Sequence, residues 1–224
     1  MKAMILAAGY GKRLLPLTKD IPKPLLKVGN KTLIERNINN LLESGFSEIV
    51  INVSHLSKLI EGHVKEKFPK NNILFSFEER PLGTGGGVLK ALNILGAEPF
   101  LLINSDIYHC ISFTNFPKTT EAAHLIGVPN PDHNRNGDFS IKNENMVEVQ
   151  DGLNELTWSG ISLINPIIFN ENVFDIESLN IWKGVLPKYI NNGKVTAHKS
   201  SEFWIDVGTQ DRLKLANTLH NEEN

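Results

Sequence analysis

The strongest constraint on the fold is a strand-length apolar run at residues 3–8, closed by Gly9, that begins a repeating pattern. Further runs of strand character follow at residues 48–53, 73–77 and 100–104. Between them lie segments with helical spacing. Residues 32–44 place Ile34, Ile38, Leu41 and Leu42 on one face, and Gly45 is a natural stop. Leu56, Leu59, Ile60 and Val64 mark a second helix with Pro69 beyond it, and Gly85–Leu95 reads as a third. Repeated βα units with short connections demand a parallel sheet covered by helices. The expected fold is α/β: a doubly wound, mostly parallel, Rossmann-like sheet. Such sheets bind ligands outside the C-terminal ends of their strands, so the loops after residues 8, 77 and 104 are where chemistry is expected.

The second half is more mixed. Strands are expected at 124–128, 156–164, 194–198 and 203–207, and helices at 178–191 and 210–219. Residues 139–141 and 146–149 read as a hairpin, a small antiparallel insertion. No linker, repeat or low-complexity tract interrupts the 224 residues, so one domain is expected. The single Cys110 excludes an internal disulfide and any all-cysteine metal site. No apolar stretch approaches the ~18 residues of a membrane span. The start mimics a signal peptide, but its apolar run is short and Lys12 and Arg13 soon follow, so a cytoplasmic protein is expected. A net charge of −2 argues for neither nucleic acid nor an anionic membrane as partner.

That total conceals a cationic segment. Residues 10–31 carry Lys12, Arg13, Lys19, Lys23, Lys27 and Lys31 against Asp20 alone, so the remainder is acidic. Gly9 and Gly11, directly after a buried strand, let backbone N–H groups approach a phosphate. Pro22 and Pro24 restrict the backbone around Lys23. A Walker loop fails, because Leu6 and Arg13 stand where Gly and Ser/Thr are needed. The dinucleotide fingerprint fails too, because Leu14 replaces its third glycine and Asn52 and Ser54 stand where an acid is expected.

Leu6-Ala7-Ala8-Gly9-x-Gly11-x-Arg13, Pro16-Leu17-Thr18 and Pro22-Lys23-Pro24-Leu25 together resemble the signature of the sugar-1-phosphate nucleotidylyltransferases. The resemblance implies that Leu6, Ala7, Ala8, Gly9, Gly11 and Lys12 bind a nucleoside triphosphate, with Arg13 and Lys23 embracing its phosphates as catalytic residues. Leu82-Gly83-Thr84 is similar to the family's second nucleotide loop. Glu78 stands four residues earlier, where the family has a polar side chain that pairs with the base. A carboxylate only accepts hydrogen bonds, so it suits uracil, thymine or guanine, which carry a ring N–H. Asp106 and Asp206 each end an apolar run and match the positions at which the family holds Mg²⁺, a hard cation suited to oxygen ligands and phosphates. Ser105 departs from the usual glycine.

The same resemblance divides the chain into a nucleotide-binding half, 1–110, and a sugar-binding half, 111–224. It implies sugar contacts from Asn104, Gly137, Asp138 and Gly160. The family's Glu-Lys-Pro lysine is missing from 148–152. Thr84–Gly87, Asn130–His133 leading to Gly137–Phe139, and Trp158–Gly160 look most like the N-acetylmuramate-1-phosphate uridylyltransferases. His133 and Arg135 are candidates there for a substrate carboxylate by loop position only, and they serve equally as ordinary polar loop residues. No appended acyltransferase or β-helix domain is expected, nor any partner beyond the small-molecule substrates, in a monomer or small homo-oligomer. Other nucleotidylyltransferases stay open, using mannose-1-phosphate with GTP, glucose-1-phosphate with UTP or dTTP, or phosphocholine with CTP. A non-catalytic regulatory subunit on the same fold also stays open.

Overall fold

The computed structural model describes residues 1–113, 116–170 and 174–222. The first half contains strands β1 (Ala3–Leu6), β2 (Lys27–Val28), β3 (Lys31–Thr32), β4 (Glu48–Val53), β5 (Asn72–Phe77), β6 (Phe100–Asn104) and β7 (Ile107–His109). Its helices are α1 (Leu33–Glu43), α2 (Ser57–Lys67) and α3 (Gly83–Leu95). The second half adds β8 (Ala123–Pro129), β9 (Ser140–Ile141), β10 (Val147–Glu148), β11 (Leu156–Ile164), β12 (Val195–Lys199) and β13 (Trp204–Asp206), with α4 (Leu186–Asn191) and α5 (Gln210–Glu222).

Both halves feed one seven-stranded sheet, ordered β12-β8-β11-β6-β1-β4-β5. Every neighbouring pair is parallel except those made by β11, which runs antiparallel to β6 and β8. The mostly parallel sheet read from the sequence is therefore present. The apolar runs lack strict polar alternation because both faces are covered. Met4, Val50 and Leu102 pack on one face with Val88, Ala91 and Leu95 of α3 and with α4. Ala3, Ile5, Ile49, Ile51, Leu101 and Ile103 pack on the other with Ile34, Ile38 and Leu41 of α1 and Ile60 and Val64 of α2. Thr32 starts α1 with a capping box, exchanging hydrogen bonds with Glu35.

Three details differ from the sequence reading. β1 ends at Leu6, because the Ala7 N–H turns to the side chain of Asn52 instead of a neighbouring strand. The segment expected to be one helix over 178–191 is a π-helical turn at Ile181–Val185 followed by α4, with Pro187 near the start of α4, where its missing N–H costs least. Two short ribbons, β2–β3 and β7–β13, were not expected. The expected hairpin is present as β9–β10. Among the described residues, no helix is long and apolar enough to cross a membrane.

The pairing of β11 with β8 shifts between Trp158 and Ser162, and Gly160 lies in that irregularity with φ 80°. A Cβ there would stand 2.5 Å from Asn104 Nδ2. Gly160→Ala is expected to cost about 1–2 kcal/mol from the left-handed backbone alone, before the clash is counted. Its urea midpoint should fall, and an unchanged midpoint would contradict this account of β11.

Candidate active site

The parallel register sets the site. Leu6 of β1 pairs with Asn52 of β4 on one side and Asn104 of β6 on the other. Three strands thus end level, and their following loops surround a cleft of about 350 Å³. Leu6, Ala7, Ala8, Gly9, Gly11, Lys12, Arg13 and Lys23 line it from the first loop. Glu78, Gly83 and Thr84 line it from the second, and Asn104, Ser105 and Asp106 from the third. Every residue assigned to the nucleotide by resemblance borders this one cavity.

The first loop is held by its own motif. Gly11 has φ 65°, and the hydroxyl of buried Thr18 donates to its carbonyl at 2.9 Å. Gly9 faces open space, where an added Cβ would meet nothing within 4 Å. Arg13 is exposed at the rim, whereas Lys23 is half-buried and its Nζ donates to Asp106 Oδ2.

Glu78 is buried at 5% exposure. Its Oε1 accepts from Asn52 Nδ2 at 2.6 Å and its Oε2 from the Leu82 N–H at 2.9 Å. Burial pushes its carboxyl above the usual range, while the Leu82 and Asn52 hydrogen bonds and the charge of Lys90 oppose that rise. The first two glycines after Thr84 serve close packing. A Cβ on Gly85 would meet Leu179, and one on Gly86 the Ile176 carbonyl at 2.4 Å. Thr84 Oγ1 accepts from the Ile181 N–H at 3.0 Å, which also fastens this loop to the segment before α4.

The two acids stand on adjacent backbone, since the Val207 N–H donates to the Asp106 carbonyl at 2.7 Å and β7 pairs with β13. Their carboxylates have different partners. Asp106 holds Lys23 in the cleft. Asp206 lines a neighbouring cavity of about 460 Å³ with His133 and Arg212. Its Oδ2 is 3.1 Å from Arg212 Nη2 and its Oδ1 3.0 Å from His133 Nε2. Asp206 Oδ1 is buried without a well-aligned hydrogen bond, as a waiting metal ligand can be. Among the described residues, no three His, Cys, Asp or Glu side chains gather as a metal cage. Two carboxylates nonetheless fit Mg²⁺, which takes few protein oxygens and completes its shell with phosphates and water.

The residues assigned to the sugar divide. Asn104 lines the cleft and Gly160 presses against it. Gly137, with φ 64°, and Asp138 shape the 130–138 loop, where Asp138 accepts from the Trp158 N–H at 2.8 Å and from Asn134 at 3.1 Å. Exposed Arg135 pairs with Asp132. Asn52, Arg212 and Gly208 were missed by sequence reasoning. Gly208 lines the cleft, and a Cβ there would fall 2.0 Å from Arg212 Nη2. For Asn52 the signal was visible: a lone amide within the apolar run Ile49–Val53.

Residues 2–223 match the family described as Nucleotidyl transferase. The chain is 40% identical to an N-acetylmuramate alpha-1-phosphate uridylyltransferase of Neisseria meningitidis, over 98% of both chains. It is 31% identical to a mannose-1-phosphate guanyltransferase of Schizosaccharomyces pombe, over 93% of this chain and 61% of that one. Among solved structures, a putative glucose-1-phosphate thymidylyltransferase from Bacillus anthracis has the same fold, with TM-score 0.86 at 23% identity, covering 100% and 96% of the two chains. HddC from Yersinia pseudotuberculosis, complexed with GMP-PN, gives TM-score 0.82 at 26% identity over 97% and 98%. With its glycine loop, cationic Lys23 and acidic Asp106 around one cleft, the chain belongs to the nucleotidyl transferase family, among the sugar-1-phosphate nucleotidylyltransferases.

Proposed function

We propose that the protein joins UTP and N-acetylmuramate α-1-phosphate to give UDP-N-acetylmuramate and pyrophosphate, a reaction of cell-wall recycling in the cytoplasm. The observation that carries this reading is the single cleft bordered by the first loop, Lys23, Glu78 and Asp106. Gly9 adds support. Its backbone is outside the left-handed region and its missing side chain faces empty space, so internal packing does not require a glycine there. A ligand lying against that backbone does. A base with a ring N–H, uracil among them, is supported by Glu78, whose two oxygens both face N–H donors and so favour an accepting carboxylate. The sugar is supported by the 40% identity to the Neisseria meningitidis enzyme.

The attacking sugar phosphate is already ionised at neutral pH, so no general base is needed. The chain must align two anions and neutralise their charge, a task of positioning and electrostatics. Arg13 at the rim binds the departing pyrophosphate. Lys23 exchanges Asp106 for the α-phosphate as the nucleotide enters, and Asn104 and Gly160 receive the sugar, flanked by the Gly137–Asp138 loop. Asp106 and Asp206 are the residues that would hold Mg²⁺, an ion that when bound neutralises charge on the reacting oxygens.

Pyrophosphate release, measured with Mg²⁺ across four nucleotides and a panel of sugar-1-phosphates, tests the reading. UTP with N-acetylmuramate α-1-phosphate is expected to be fastest. A clear preference for CTP, ATP or GTP would overturn the uridylyl assignment, and no release with any pair would overturn the activity. Arg13→Ala and Asp106→Asn should each lower kcat/KM by about 10²-fold or more, with melting temperature unchanged. Near-native turnover in either variant would remove that residue from the mechanism.

A further inference from the structure

Asn52 is 2% exposed at the end of β4 and touches two of the loops that line the cleft. Its Oδ1 accepts from the Ala7 N–H at 2.8 Å, and its Nδ2 donates to Glu78 Oε1 at 2.6 Å. The orientation of the amide is dictated by chemistry. The Ala7 N–H can only donate, so the oxygen must face it, and the NH₂ group must therefore face Glu78. The Leu82 N–H, also donor-only, meets the other Glu78 oxygen at 2.9 Å. Each Glu78 oxygen thus accepts from a fixed donor.

Space for this arrangement comes from α3. A Cβ on Gly87 would stand 2.5 Å from Asn52 Nδ2 and 2.8 Å from Glu78 Oε1. Gly87 is therefore the gap through which the amide and the carboxylate meet. Asn52 itself also lines the cleft.

We propose that Asn52 is a positioning residue for base selection: its amide fixes Glu78 as an acceptor directed at a pyrimidine or purine ring N–H. The inference rests on the nucleotidyl-transfer reading of the cleft and goes beyond it by locating selectivity in a side chain that acts through another. Asn52→Asp is the sharpest probe. The introduced carboxylate still accepts from Ala7, but its second oxygen then faces Glu78 without a donor. Two carboxyl groups at that distance share one proton, and the acceptor strength of Glu78 falls.

The experiment measures kcat/KM for UTP and for CTP, by pyrophosphate release, in the wild type, Asn52→Asp and Gly87→Ala. The wild type should favour UTP. In both variants the UTP-to-CTP ratio should fall about tenfold or more, because the fixed acceptor is lost. A purely structural role would slow both nucleotides alike and leave the ratio unchanged, which would overturn the proposal. If Asn52→Asp does not fold, Gly87→Ala decides the question, since it crowds the same pair from the opposite side. A wild type that turns over neither nucleotide would defeat the parent reading of the cleft; an active wild type with an unmoved ratio defeats only the role of Asn52.

Discussion

The site depends on the parallel register of β1 with β4 and β6. Leu6 lies level with Asn52 and Asn104, so three strands end at one line and their loops must share one space. A one-residue slip in either pairing would send alternate side chains to the opposite face. It would withdraw Asn52 from Ala7 and Glu78. The cores on the two faces hold the register, because Met4 belongs to one and Ala3 and Ile5 to the other. Ligand geometry at the mouth is therefore set by apolar packing well below it.

Electrostatics at that mouth follow from the same placement. A cationic segment and an acidic remainder give a chain of net charge −2, yet the fold brings Lys23 against Asp106 and Arg212 against Asp206. In each pair the cation stands beside a carboxylate suited to a divalent ion. On the proposed reading, Lys23 would exchange Asp106 for a nucleotide phosphate, and Asp106 and Asp206 would be the residues that hold a divalent ion, so that neither carboxylate would be left unpaired in a half-buried site.

Much of this was legible in the sequence. The strands at 48–53, 100–104 and 156–164 are bounded as their apolar runs are, and the glycine loop, Lys23, Glu78 and Asp106 meet in one cleft. What escaped reading has identifiable causes. The helix over 178–191 breaks up because helical spacing says nothing of the Asn180 cap and the π-helical turn that follows it. The glycines at 85–87 fit two readings, ligand approach or tight packing, and only tertiary neighbours such as Leu179 and Asn52 separate them. In the sequence Asn52 serves only to exclude the dinucleotide fingerprint; its value comes from residues 45 and 26 positions away, Ala7 and Glu78, which local sequence does not connect. Arg212 reaches Asp206 only because Gly208 leaves room for it.

The claim at the centre of this account is that the loops after β1 and β5 close around one nucleotide. Amide hydrogen exchange with and without UTP and Mg²⁺ tests it most directly. Slowed exchange confined to residues 7–13 and 82–84, with the 130–138 loop unaffected by nucleotide alone, is the predicted result. Protection at the His133–Arg212 cavity with unchanged exchange at 7–13 would contradict it.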